Sequence, residues 1–317
     1  MSDDEQTGSK AGTKGRRSIS EATLRRVVAG LRGRSAFHEP LHEYTSFGIG
    51  GPADVLVEPL DIEDVSRLVK QAAANKARVF VLGGTNLLIR DGGIRGVVMS
   101  LSKLRAIREE PGHVLYAEGG VGMPTLIGYA VRRGLSGVEW GAGIPGTVAG
   151  CVVMNAGTKL GEMKDSVKAV RLVTPKGQVV DLDASEIEFE YRHARLPRGV
   201  VVGVWLQLRA GVRATIENTV KEYLQYRKDT QPLALPSAGC VFRNPPRDSA
   251  GRLVEAAGLK GVRIGDAQVS DKHANFVVNV GAARAKDVLD LIRKVRREVR
   301  RKTGVSLNLE LKVIGDA

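Results

Sequence analysis

The chain reads as an α+β protein in which a two-part N-terminal unit precedes a smaller α+β unit, and three observations point there. Its 317 residues exceed what one small core can organise, so two or three packed units are expected. Residues 55–96 alternate strand and helix patterns, whereas strands dominate from Gly96 to about residue 210. The remaining stretch of about 105 residues interleaves helices and strands of its own.

Each element follows from local pattern. Residues 1 to about 19 hold Gly, Ser and charge without periodicity and are expected to be disordered. A short helix over 19–31 completes an N-terminal region of residues 1–35. The first lobe, residues 36–102, opens with a strand at 55–58. A helix follows, capped by Asp61, with Val65, Leu68, Val69 and Ala72 on one face. The strand 78–82 (RVFVL) then empties into a glycine turn, at a strand end where ligand sites gather in α/β sheets. The second lobe, 103–210, carries a helix over 124–133 stopped by Gly134, and a turn at Pro175-Lys176-Gly177 inside a hairpin. The third unit, 211–317, has a helix over 216–227, the SAGCVF strand at 237–242, a helix near 252–257 and a strand at 275–280. A basic helix and a final strand over 307–314 end it.

Composition excludes several classes. Hydrophobic residues make up 43%, and no apolar run approaches the roughly 20 residues of a membrane helix. The opening MSDDEQTGSKAGTKGRRS lacks the apolar core of a secretory signal, so a cytoplasmic protein without a membrane partner is expected. Cys151 and Cys240 are too few for a disulfide framework. The five histidines, His38, His42, His113, His193 and His273, show no zinc-ligand spacing, so no metal is expected. Net charge is +13, with seven basic residues against Glu298 alone in 293–302. Val288, Leu291, Ile292, Val295 and Val299 recur there at helical spacing, which makes the charge a solvated helix face. Without interleaved aromatics, no nucleic-acid partner is expected.

Two glycine-rich segments carry the functional signal. Residues 141–157 (GAGIPGTVAGCVVMNAG) hold five glycines and a proline with no charged residue. Such a stretch is either a main-chain cradle against a ligand or a buried turn between strands. Upstream, Gly83, Gly84, Thr85 and Asn86 follow the 78–82 strand and precede the apolar 87–89. Glycine amides followed by a hydroxyl and a carboxamide form a concave donor set suited to pyrophosphate oxygens. The turn has neither a Walker sequence nor GxGxxG spacing. Four further segments complete an ordered set: residues 44–54 (YTSFGIGGPAD), Tyr191-Arg192-His193, residues 231–245 (QPLALPSAGCVFRNP), and LNLELKVIG ending at Gly315.

In this order and at these separations the chain resembles the flavin-dependent UDP-N-acetylenolpyruvoylglucosamine reductase family of bacterial cell-wall synthesis, from about Tyr44 to Gly315. Only 44 residues, 193–236, separate Arg192 from Ser237, which resembles the family's short form. The resemblance implies a two-lobed FAD-binding domain of the vanillyl-alcohol-oxidase type, followed by a substrate-binding domain. It also implies FAD as cofactor and NADPH as co-substrate, reducing UDP-N-acetylglucosamine enolpyruvate to UDP-N-acetylmuramate; the basic surface suits both anions. FAD contacts would come from Gly83, Gly84, Thr85, Asn86 and Leu87, from Gly143, Ile144, Pro145, Gly146, Thr147 and Gly150, and from Asn155, Ala156 and Gly157. The first turn is one residue shorter than the family's Leu-Gly-x-Gly-Ser-Asn. A monomer is expected.

For chemistry, the resemblance places Arg192 at the substrate carboxylate, where a guanidinium offers two parallel hydrogen bonds. Glu310 matches the C-terminal glutamate. In LNLELKVI it alternates with apolar residues, so it lies on the polar face of a strand, facing either solvent or the cleft. Beside a substrate carboxylate it would need a raised pKa. Cys240 stands where the family usually has a serine proton donor; a thiol is acidic enough to serve, and a small buried strand residue is the alternative. Arg227 would pair with a diphosphate, and Tyr191, Arg243 and Asn244 would line the cleft. His273 and Asn275 are substrate or supporting residues, and for His273 a buried structural histidine is equally consistent. Two other classes stay open. One is a flavin oxidase of the same broad fold using oxygen, although such enzymes often carry a histidine beside the glycine turn where this chain has Asn86. The other is a basic nucleic-acid-binding module.

Overall fold

The computed structural model describes residues 19–83, 85–158 and 160–317. The expected disorder of residues 1–18, and Gly84 of the first glycine turn, lie outside the described residues. Helix α1 (Glu21–Val28) starts at Ser20, whose Oγ accepts from the Thr23 amide at 3.3 Å. It ends before residue 31 because Ala29 adopts an extended backbone. Helix α2 (Ile62–Ala74) is capped by Asp61, which accepts from the Asp64 amide at 3.0 Å, a contact contributing about 1 kcal/mol. The face with Val65, Leu68, Val69 and Ala72 is buried as its spacing requires.

These helices pack on a four-stranded sheet in the order Arg34–Phe37, Ala53–Glu58, Ile94–Ser100, Val79–Leu82, parallel except at its Arg34 edge. The second lobe is a five-stranded antiparallel sheet ordered Val179–Asp183, Val167–Val173, Val200–Gln207, Val114–Glu118, Ile107–Glu110. Helix α3 (Met123–Arg133) stops at Gly134, whose φ of 66° is left-handed, and helix α4 (Val148–Val153) lies against the central strand. The Pro175-Lys176-Gly177 turn joins the hairpin strands, with the Gly177 amide on Thr174 O at 2.8 Å. One continuous apolar core spans both lobes.

In the third unit, helix α5 (Arg213–Thr230) is longer than expected at both ends. A four-stranded antiparallel sheet follows, ordered Ser237–Cys240, Phe276–Asn279, Ala267–Val269, Arg263–Ile264. Helices α6 (Ala250–Ala256) and α7 (Ala285–Thr303) bury their apolar faces in a second core, with Val288, Leu291, Ile292, Val295 and Val299 inward. Several links tie this unit to the first lobe. Phe47, Ile49 and Leu88 enter the second core, and Asp91 accepts the Ala285 and Lys286 amides at 2.8 and 3.1 Å, capping α7. Strand Leu87–Ile89 pairs in parallel with Lys312–Ile314. Among the described residues no helix is long and apolar enough to cross a membrane.

The final strand differs from expectation. Regular pairing begins only at Lys312; before it stands one isolated bridge, Phe242 to Leu309. The amides of Glu310 and Leu311 both point at the Val241 carbonyl, at 2.9 and 3.3 Å. Two donors on one acceptor break the ladder, and the 306–311 segment runs irregularly between the first lobe and the SAGC strand.

Candidate active site

The two glycine segments meet. Thr147 Oγ1 donates to Gly83 O at 3.1 Å, and the Thr147 hydroxyl oxygen accepts from the Gly150 amide at 3.2 Å as the cap of α4. A side chain at Gly83 would stand 3.3 Å from Thr147 Oγ1 and 3.8 Å from the Gly150 backbone, so the turns approach as glycine allows. Gly146 is buried, and among the described residues the amides of Gly143 and Gly146 donate to no protein acceptor. Gly143 has a φ of 77°, and a Cβ there would lie 3.1 Å from Arg227 Cδ. Ile144 packs on the main core and Pro145 is exposed.

Asn86 leads from the first turn to the third unit. Its carbonyl accepts from the Lys312 amide at 2.9 Å, its Nδ2 donates to Glu310 O at 3.5 Å, and Leu87 pairs with Lys312. Thr85 O lies 3.1 Å from Ser46 Oγ, which is 2.8 Å from Ser237 O in the SAGC strand. Glycine turn, SAGC strand and Glu310 segment are thus fastened to one another.

Arg192 projects from a two-residue turn between Glu188–Glu190 and His193–Arg195, at a φ of 57° that few non-glycine residues adopt. Asn155, 1% exposed, holds that turn: its Nδ2 donates to Glu190 O at 3.1 Å and to Glu162 Oε2 at 2.7 Å, and its Oδ1 accepts from the Lys164 amide at 3.0 Å. Arg192 Nη1 donates to Gly157 O at 2.8 Å, beside the half-buried Ala156, and Nε donates to Glu310 Oε1 at 3.1 Å. Tyr191 is 60% exposed, its ring centroid 5.4 Å from the Arg192 guanidinium carbon.

The Glu310 side chain is 13% exposed and turned onto Arg192 rather than out to solvent. Burial pushes its carboxyl upward, opposed by the charges of Arg192 and Arg243; the net direction is up. We hold to that direction because the single hydrogen bond from Arg192 does not replace the water removed.

Cys240 ends the SAGC strand. The register against Phe276–Asn279 slips between Ser237 and Cys240, at Gly239 with a φ of 74°, an irregularity of the kind that re-aims a side chain. Burial pushes its thiol up to about 11, with the Glu310 carboxylate adding to the rise and Arg192 and Arg227 opposing it. Cys240 is therefore expected to react with iodoacetamide near pH 8 at least on the order of a hundredfold more slowly than a free thiol, because the thiolate is the nucleophile. Peptide-resolved alkylation rates check this, and a rate equal to that of free cysteine would contradict it.

Comparison with known proteins is decisive here. Residues 231–314 match the model of the UDP-N-acetylenolpyruvoylglucosamine reductase C-terminal domain, and residues 53–183 match an FAD binding domain. The UDP-N-acetylenolpyruvoylglucosamine reductase 2 of Symbiobacterium thermophilum is 46% identical over 286 residues, 89% of this chain and 93% of that protein. The reductase of Heliobacterium modesticaldum is 42% identical over 298 residues, 93% and 95% of the two chains. The crystal structure of the reductase from Thermus caldophilus superposes with a TM-score of 0.77 at 38% identity, covering 89% of this chain and 99% of that one. The chain belongs to the UDP-N-acetylenolpyruvoylglucosamine reductase family.

Within this reductase family member, the remaining anticipated site residues divide. The Arg227 guanidinium donates through Nε and Nη2 to Gln231 Oε1 at 3.1 and 2.9 Å and through Nη1 to Ala142 O at 3.3 Å; burial pulls its pKa down. A half-buried cation held by neutral acceptors suits an anionic ligand. Arg243 is exposed and close enough to Glu310 and Lys312 to influence both. Three other side chains are occupied by the protein. Asn244 Oδ1 caps α6 by accepting the Ala250 amide at 3.0 Å. His273 packs on Gly251 and Phe276 and accepts the Asn275 amide at 3.2 Å, with burial holding it neutral. Asn275, 3% exposed, exchanges two hydrogen bonds with the Phe242 backbone at 2.9 and 2.8 Å, next to the strand that carries Cys240.

Asn275→Ala is expected to destabilise the protein by about 3 kcal/mol, since it strands a buried amide and carbonyl together. Urea unfolding reads this directly, and a change under about 1 kcal/mol would show the clamp to be dispensable. Sequence reasoning had missed Ser46 and Gln231. Both lie inside segments that carried the resemblance, but their partners at residues 85, 237 and 227 are fixed only by the fold.

Proposed function

We propose that the chain reduces the enolpyruvyl double bond of UDP-N-acetylglucosamine enolpyruvate to give UDP-N-acetylmuramate, with NADPH as reductant and FAD as bound carrier. The setting is cytoplasmic peptidoglycan precursor synthesis, and the chain acts as a monomer. The observation that carries this reading is the Arg192–Glu310 pair, 3.1 Å apart and mostly buried, with the Cys240 thiol within their electrostatic reach.

The site suits FAD. The amides of Gly143 and Gly146, which have no acceptor among the described residues, and the contact of Gly83 with Thr147 support main-chain donors for a pyrophosphate, as the matched FAD binding domain leads one to expect. Bound flavin supplies the two-electron hydride chemistry. The chain supplies the rest. Arg192 takes the substrate carboxylate and stabilises the negative charge that reduction builds on it and on the adjacent carbon. Cys240, kept protonated by burial, delivers its proton to that carbon. Glu310, whose carboxyl is pushed upward by burial, donates a hydrogen bond to the carboxylate when it carries its proton. Arg227 and Arg243 hold the diphosphate.

The test is the visible spectrum of the purified protein. It should be yellow, bleach anaerobically with NADPH, and recover its colour in proportion to added enolpyruvyl sugar nucleotide. Recovery with oxygen alone, and none with the sugar nucleotide, would favour the oxidase reading and end this one.

A further inference from the structure

The basic face of α7 is solvent-exposed, as its spacing requires, and borders an open surface groove. Arg293, Arg296, Arg297, Arg300 and Arg301 line this groove of about 580 Å³, bordered also by Ser306 and Leu307 just beyond the helix end at Gly304. The arginines recur at intervals of three, four, seven and eight residues, one stripe about 12 Å long at 1.5 Å per residue. Arg293 pairs with Asp290, while Arg297 and Arg301 share Glu298. Arg296 and Arg300 have no carboxylate partner among the described residues, so five positive charges face two negative ones. These ion pairs are exposed, with arginine side chains at 64–69%, and exposed pairs of this kind are weak enough to exchange for another anion.

We infer that this groove is a second anion site, separate from the glycine-turn cleft, that takes a small molecule bearing a linear chain of phosphates. Charge and shape select that occupant. Five guanidinium groups offer paired donors matched to phosphate oxygens. The groove of about 580 Å³ is large enough for a small anion. No aromatic side chain lines the groove for a base to stack on, as single-stranded nucleic acid requires. Leu307 is 1% exposed, so no apolar group is available for insertion into a bilayer.

Calorimetric titration of the flavin-loaded protein with inorganic tripolyphosphate at low ionic strength tests the assignment. One saturable site is expected, at least about tenfold tighter for tripolyphosphate than for orthophosphate and weakened by added salt. The double variant Arg296→Glu/Arg300→Glu should lose at least about tenfold in affinity while its visible spectrum and turnover stay unchanged, since neither residue belongs to the catalytic cleft; Arg296→Gln/Arg300→Gln, which keeps the surface polar, should lose less. Several results would overturn the proposal. They are absence of saturable binding, equal affinity in parent and double variant, which would move the binding to the catalytic cleft, or tighter arginine-dependent binding by a short single-stranded oligonucleotide or by anionic vesicles.

Discussion

Cys240→Ala is expected to slow reduction of the enolpyruvyl substrate by about 10²–10⁴-fold while leaving anaerobic bleaching by NADPH unchanged. That range is what a positioned general acid contributes, and the two half-reactions separate because only the second consumes a proton at carbon. The substitution removes one sulfur atom at the end of the Ser237–Cys240 strand, so the scaffold should tolerate it. Cys240→Ser keeps a hydroxyl donor and should stay within about tenfold of the parent. The thiol also makes a pH prediction. With its pKa pushed up to about 11, the proton is present throughout the neutral range, and loss of the second half-reaction from this group begins only as pH rises toward 11. An alkaline limb near pH 8.5, absent in Cys240→Ser, would mean that burial does not control the thiol. Loss of both half-reactions in the alanine variant would assign Cys240 to structure instead.

Glu310→Gln should lower kcat by about 10²–10³-fold without raising KM for the sugar nucleotide. Glutamine preserves the volume, an acceptor for Arg192 Nε and a hydrogen-bond donor, but it has no acidic proton to shift toward the developing charge, so ground-state binding survives while support of that charge weakens. The parent should also show a KM that the variant lacks a cause for. Its carboxyl is displaced upward by burial and is neutral at lower pH; as pH rises it ionises, opposes the substrate carboxylate and raises KM. In Glu310→Gln that rise should vanish. Full turnover in the variant would remove proton donation from Glu310, and a raised KM with unchanged kcat would make it a binding residue.

Much of this arrangement was legible in the sequence because it is local. The Asp61 cap and the spacing of Val65, Leu68, Val69 and Ala72 specify α2, and Gly134 ends α3, since caps and periodicity depend on neighbours a few residues away. The ordered motifs identified the family because each keeps its residues together. What stayed hidden depends on distant contacts. The Arg34–Phe37 edge strand exists because Ala53–Glu58 offers it a free side. Glu310 leaves regular strand geometry because its backbone is shared between Val241 and Asn86. Asn155, anticipated as a cofactor residue, spends its side chain on Glu162, Lys164 and Glu190, and so orients Arg192. Alternation in LNLELKVI could not distinguish solvent from cleft, because the element that covers Glu310 carries Arg192, 118 residues earlier.

A crystal structure of the chain with FAD and UDP-N-acetylmuramate tests the central claim most directly. The account predicts the flavin ring between the contacting glycine turns and the SAGC strand, the product carboxylate on Arg192, and Cys240 Sγ within about 3.5 Å of the carbon beside that carboxylate, the reach proton delivery requires. A ring bound away from the 83–86 and 143–147 turns, or a thiol turned away from that carbon, would contradict it.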